Sequence, residues 1–139
     1  MKVFYFHDEM INEAVLLAGL ALAKEQAQKG EKHVSIFVNV ISGPATDQFT
    51  QKMFSQTEAN KLRSGKTINS DGIRIKLESP KTFDEYKEYE VILGLHLSTS
   101  SLNALEKRNN VKKLIVLVET QNINHEWLTK VNAKQLTYK

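Results

Sequence analysis

Short apolar runs alternate with helix-like segments along the whole chain, and this alternation constrains the fold more than any other feature. The runs cover residues 3–6, 34–38, 73–77, 91–95 and 114–118. Strands separated by helices need crossover connections, which produce a parallel sheet with helices on both faces. We therefore predict a single α/β domain over residues 1–139, with a three-layer α/β/α, Rossmann-like arrangement around a mainly parallel sheet of five or six strands. The predicted strand order is 3-2-1-4-5-6, with the flavodoxin-like order 2-1-3-4-5 as the alternative, and both orders make strands one and two neighbours.

The composition excludes several kinds of chemistry. The 139 residues are 41% hydrophobic and 25% charged, which is typical of one globular domain with its own core. There is no cysteine, so disulfides, thiolate metal ligands and thiol nucleophiles are excluded. The net charge of +3 is spread evenly, so we do not expect a nucleic-acid partner. No apolar run could span a membrane, and the first segment predicts a strand in place of a signal peptide, so we expect a cytoplasmic protein.

Helix-start signals divide the segments between the predicted strands. Asp8 is placed to cap a first helix over about residues 9–29. Residues 45–64 are helical, as one helix or as two, because Ser55 and Glu58 have the spacing of a capping box.

The later connections give a second capping box and two irregular regions. Thr82 and Glu85 have the same spacing, which predicts a short helix to about residue 89. Residues 64–72 lack apolar periodicity, so we interpret them as an exposed loop. A last strand, over about residues 135–138, is expected at an edge of the sheet.

The loops that follow the predicted strands are rich in serine, threonine, histidine and carboxylates. In a doubly wound sheet these loops share the carboxyl edge, where ligands bind. Residues 98–101 are four consecutive hydroxyls at a strand-to-helix junction, where free backbone N–H groups and the helix dipole favour an anion. The alternative is a simple helix cap with additional serines. We predict that a small anionic ligand contacts these loops through seven residues: Asp8, Ser42, Gly43, Ser98, Thr99, Ser100 and Ser101.

Three further residues at this edge are candidates for acid–base catalysis. His7 and His96 end strands one and four, which are neighbours in the order 3-2-1-4-5-6, so two imidazoles could face each other across the crevice. Glu119 ends the most apolar strand, where burial would raise its pKa and make it a base. No spacing indicates a metal site, the G-x-S-x-G motif of serine hydrolases is absent, and no motif identifies a cofactor.

Two functions from different classes follow from these patterns. The first is binding, with or without processing, of a small anionic ligand such as a nucleotide or phosphorylated metabolite. The alternative is a non-catalytic module for protein interaction or self-association. In support of that alternative, Trp127 lies in a predicted helix over residues 124–132, next to a final strand that the charges of Lys134 and Lys139 flank. An exposed tryptophan beside an edge strand predicts a homodimer through this helix and strand.

Overall fold

The computed structural model describes residues 1–138, which form seven β-strands and five α-helices. Lys139 lies outside the described residues. The strands are β1 (Lys2–Asp8), β2 (His33–Phe37), β3 (Ile68–Ser70), β4 (Ile73–Glu78), β5 (Tyr89–Leu95), β6 (Val111–Glu119) and β7 (Lys134–Leu136). The helices are α1 (Glu13–Gln28), α2 (Pro44–Met53), α3 (Gln56–Arg63), α4 (Thr99–Glu106) and α5 (His125–Lys130). No helix within residues 1–138 is long and apolar enough to cross a membrane.

The seven strands form one sheet in the order β3-β4-β2-β5-β6-β1-β7. Every neighbouring pair is parallel except β3 with β4, so the prediction of a mainly parallel α/β sheet is confirmed. Both predicted strand orders are wrong, because β5 and β6 lie between β1 and β2. The predicted count of five or six strands is also too low, because β3 adds an unpredicted strand beside β4. The connection through α1 can span this gap: its 16 residues extend about 24 Å, and three strand spacings measure only about 14 Å.

The buried apolar residues form two clusters on opposite faces of the sheet. Along β6, Ile115 and Leu117 belong to one cluster, and the alternating Leu114 and Val116 belong to the other. Buried residues of α1, α2 and α3 join the first cluster, and those of α4 and α5 join the second. Helices therefore pack on both faces, as the alternation of strands and helices predicts.

Two of the predicted helices differ in detail from those in the structure. The cap of α1 is Asn12, whose side chain accepts from the Val15 N–H, and not Asp8, which is still part of β1. Residues 44–63 form two helices, and the capping box of Ser55 and Glu58 opens the second one.

The predicted helix after Thr82 is absent, since residues 79–88 are turns without a described helix. Asp84 uses its carboxylate to accept from the Tyr86 N–H in a local turn, and Glu85 pairs with Arg108 and not with the Thr82 backbone. Phe83 stacks on Tyr89 with 4.9 Å between ring centroids, which favours packing of this segment over a regular helix.

The interpretation of residues 64–72 as an exposed loop is also wrong in part. Ile68 is buried, and β3 pairs with β4 through a hairpin turn at Asp71 and Gly72, both with positive φ. An Asp-Gly pair is a strong hairpin signal because glycine adopts positive φ without steric cost.

Trp127 does not have the exposure on which the homodimer prediction depends. Only 4% of the residue is accessible, and its indole N–H donates to Glu106 Oε1 at 3.2 Å. The last strand is an edge strand as predicted, but it is only three residues long. The reason to expect a second copy of the chain on this surface is therefore removed.

The connections create two crevices at the carboxyl edge of the sheet. After β1 and β2 the chain leaves toward α1 and α2 on one face, and after β5 and β6 it leaves toward α4 and α5 on the other. The neighbouring pairs β2/β5 and β6/β1 are therefore switch points, where open α/β sheets bind ligands.

Candidate functional site

The carboxylate of Glu119, the last residue of β6, is the centre of the polar cluster at this edge. Its Oε1 lies 3.0 Å from His96 Nε2, and its Oε2 accepts from the Ile11 N–H at 3.0 Å. The side chains are 21% exposed for Glu119 and 35% exposed for His96, so both are half-buried but reachable from solvent. A carboxylate bound in this way fixes the orientation of the imidazole.

His96 lies directly after β5 and has a left-handed backbone, with φ of 51°. Residues other than glycine rarely adopt this region, which costs about 1–3 kcal/mol and is concentrated at functional sites. Contacts on both sides hold the residue there: its N–H donates to the Leu117 carbonyl at 3.3 Å, and its carbonyl accepts from Asn39 Nδ2 at 2.9 Å. The backbone conformation and the contact with the Glu119 carboxylate together direct this one side chain.

His7 and His96 do not end neighbouring strands, as the predicted order required, because β6 lies between β1 and β5. The end of β6 connects them instead. His7 Nε2 lies 3.0 Å from the hydroxyl of Thr120, and the preceding residue, Glu119, contacts His96. The two histidines therefore flank consecutive residues of one strand end and do not face each other directly.

Asp8 is occupied by contacts within the protein. Its carboxylate accepts from the Glu9 N–H at 2.7 Å, from Asn12 Nδ2 at 3.2 Å and from the Tyr138 hydroxyl. The hydrogen bond to Asp8 raises the pKa of the Tyr138 hydroxyl, because ionisation would place two negative charges together. Asp8 thus connects the C-terminal segment to the start of the first connection.

Three of the four consecutive hydroxyls make hydrogen bonds within the protein. Ser98 caps α4 by accepting from the Ser101 N–H at 3.2 Å, and the Ser101 hydroxyl donates to Asn39 Oδ1 at 2.7 Å. The Thr99 hydroxyl donates to Asn124 Oδ1 at 2.8 Å, while Ser100 is exposed. A ligand in this position would meet a network that is already ordered.

Ser42 and Gly43 precede α2 on the other side of the β2/β5 switch point. Gly43 is the N-cap residue of α2, and its N–H donates to the Val40 carbonyl at 3.2 Å. Ser42 is exposed. These two residues are therefore separated from residues 98–101 by the Asn39 side chain, which accepts from the Ser98 N–H at 3.0 Å.

Two cavities meet at His96 and Asn39. The polar cavity, with a volume of about 420 Å³, lies over the ends of β5 and β6 and is lined by Asn39, His96, Leu97, Ser98, Thr99, Gln121, Ile123 and Asn124. The apolar cavity, of about 230 Å³, lies toward α2, and its walls include Val38, Val40, Pro44, Phe49 and Leu95. His7 and Asp8 line a separate cavity with Tyr138, so they do not join this pair.

Sequence reasoning missed Asn39, Asn124 and Thr120, although each of them orients a predicted residue. Their position was the available signal, because each follows shortly after a strand or precedes a helix at the carboxyl edge. What could not be inferred is that the Asn39 side chain bridges β2 and β5, since that depends on the strand order. Within residues 1–138, no group of three or more histidine or carboxylate side chains is arranged to hold a metal ion.

No family model matches this chain, and neither a curated protein nor a solved structure matches it. The function therefore has to be inferred from the geometry of the site.

Proposed function

We propose that the protein binds a small anionic ligand in the polar cavity beside His96, at the carboxyl edge of a three-layer, Rossmann-like domain. The observation that supports this most is the His96–Glu119 pair at the junction of two strand ends. Among the described residues that line the polar cavity, His96 is the one titratable side chain. A protonated imidazole there would be the local positive charge, and its orientation is fixed before any ligand arrives.

The other lining groups suit an anion of moderate size. The N-terminus of α4 forms part of the wall, and its dipole favours negative charge. The amide side chain of Gln121 supplies a further polar group, and no carboxylate of residues 1–138 lines the wall. A volume of about 420 Å³ is within the usual range for small-molecule sites. A phosphorylated metabolite or a nucleotide is the corresponding ligand class.

His96 and Glu119 are also the residues that would perform proton transfer if the ligand is processed. The carboxylate would hold the imidazole in one tautomer, as carboxylate–histidine pairs do in acid–base catalysis. His7 would act less directly, because Thr120 lies between it and the end of β6. Binding is the primary proposal, and proton transfer is its extension.

Thermal-shift and calorimetric titrations with inorganic phosphate, AMP and glycerol phosphate test this proposal. We expect at least one of these anions to bind, and His96→Gln to weaken that binding at least about tenfold. The matched control is His33→Gln, which replaces a half-buried histidine at the opposite edge of the sheet and should leave the affinity unchanged. Equal affinity of the wild-type and His96→Gln proteins would contradict the proposal.

A further inference from the structure

We propose that the ligand has a second, apolar part of about the size of a benzene ring, which occupies the apolar cavity next to His96. The ligand would then be an aryl or short branched-alkyl phosphate or carboxylate, and not a nucleotide. This inference rests on the proposed function and adds to it the chemical class of the rest of the ligand.

The apolar cavity adjoins the polar cavity in which the anion would bind. His96 and Asn39 line both cavities, so a molecule with its charge beside the imidazole has the apolar cavity within reach of its other end. Val40, at the wall of this cavity, is 57% exposed, which leaves an aliphatic side chain in water. Covering this surface with an apolar group would be favourable, in proportion to the area removed from water.

The apolar cavity is large enough to hold a single ring. The apolar cavity has a volume of about 230 Å³. A dry apolar cavity of about 150 Å³ is sufficient to take up benzene. The walls of Val38, Pro44, Phe49 and Leu95 therefore leave room for one aromatic ring or a short branched chain.

Thr46 and Asn39, two polar residues on the wall of the apolar cavity, already have hydrogen-bond partners within the protein. The Thr46 hydroxyl donates to the Val40 carbonyl at 2.6 Å. Asn39 donates to the His96 carbonyl and accepts from both the Ser98 N–H and the Ser101 hydroxyl. These side chains offer a nucleobase few new hydrogen bonds in exchange for those it makes with water, whereas a hydrocarbon group has none to lose.

A calorimetric comparison of phenyl phosphate, inorganic phosphate and AMP with the full chain tests the inference. We expect phenyl phosphate to bind at least about tenfold more tightly than inorganic phosphate, because only its ring removes apolar surface from water. We expect AMP to bind no more tightly than inorganic phosphate.

Two variants locate the ring. Val40→Asn places a neutral polar side chain on the wall of the apolar cavity, and should reduce the advantage of phenyl phosphate to less than about threefold while leaving inorganic phosphate unchanged. Leu17→Asn, a replacement on α1 at a residue that is 43% exposed and lines neither cavity, should retain the full advantage. Circular dichroism checks that both variants are folded, as the exposure of both positions leads us to expect.

The outcomes separate this inference from the proposed function. If inorganic phosphate or AMP binds through His96 but the phenyl group adds no affinity, the inference is overturned and the proposed function stands. The inference is likewise overturned if AMP binds most tightly, or if Val40→Asn and Leu17→Asn have equal effects. If none of the three compounds binds, the inference fails, and the proposed function fails as well if glycerol phosphate does not bind either.

Discussion

The two edges of the sheet present polar cavities of opposite character. At the carboxyl edge, a cavity of about 420 Å³ has one titratable side chain on its wall, His96, which a carboxylate and two backbone hydrogen bonds hold in place. At the amino edge, a cavity of about 280 Å³ is lined by seven charged or titratable residues: Glu31, His33, Arg74, Lys87, Glu88, Glu90 and Lys112. Between these side chains, the described residues form one ion pair, Lys112 with Glu90 at 3.5 Å.

The two cavities differ in the number of ionisable groups on their walls and in how firmly the surrounding residues hold those groups. The amino-edge cavity has three cations and three carboxylates on its wall, so its charges largely cancel. The carboxyl-edge cavity has one titratable side chain, His96, whose position is determined by Asn39, shortly after β2, and by Glu119, at the end of β6. A binding site needs a small number of polar groups held in place by the scaffold, which favours the carboxyl edge.

The largest expected effect is the difference in stability between two variants, each of which lacks one carboxylate at one edge of the sheet. We expect Glu119→Ala to reduce the free energy of unfolding by about 2–3 kcal/mol, because the Ile11 N–H and His96 both lose a charged partner. Glu90→Ala is the matched change, since its side chain is 17% exposed but its partner Lys112 is 56% exposed. It should cost less than about 1 kcal/mol. Urea denaturation of both variants measures the difference, and a larger loss for Glu90→Ala would reverse the ranking of the edges.

The backbone of His96 allows a second test. We expect His96→Val to be less stable than His96→Asn by about 1–2 kcal/mol, because asparagine tolerates the left-handed region and a β-branched residue does not. Both variants remove the imidazole, so the loss of its contact with Glu119 cancels in the comparison. Equal stabilities of the two variants in thermal unfolding would mean that the backbone relaxes and that His96 is not held under strain.

The sequence predicts the fold and the residues of the carboxyl edge only in part. The apolar runs predicted the parallel strands, and the strand-end rule brought His96, Glu119 and Ser98 to one edge. The strand order could not be predicted, because the reach of α1 allows β2 to lie beside β1 or three positions away. The bridge by Asn39 depends on that order, whereas the contact of His96 with Glu119 does not, because the strands that precede them are neighbours in both predicted orders and in the structure. The Asp71-Gly72 hairpin was readable from the sequence, but the short, polar β3 gave too little apolar pattern to identify it.

The smallest effect concerns His33 at the amino edge. Burial, followed by the charges of Lys87, Arg74 and Lys76, lowers the pKa of His33 below its usual value of 6.5. As the pH falls below 6.5, the unfolded chain takes up a proton that the folded protein resists. The contribution of neutral His33 to the free energy of unfolding is therefore complete above pH 6.5, and it decreases as the pH falls toward the pKa of His33 in the folded protein.

Replacement of His33 checks this dependence. His33→Gln should remove that part of the pH dependence between pH 6.5 and more acidic conditions, as measured by urea denaturation at a series of pH values. His125→Gln, at an exposed position, keeps His33 and should therefore retain it. A dependence that is the same in the wild-type and His33→Gln proteins would show that neither burial nor the neighbouring cations lower the pKa of His33 in the folded protein.

The location of ligand binding is the most direct test of the account. Amide chemical shifts of the protein should be followed by NMR during titration with phenyl phosphate. We predict that the changes concentrate at the junction of the two carboxyl-edge cavities, at Asn39, Val40, His96 and Ser98, and that all of them follow one binding curve. Changes concentrated at His33, Arg74 and Lys87 would place the ligand at the amino edge and would contradict the account.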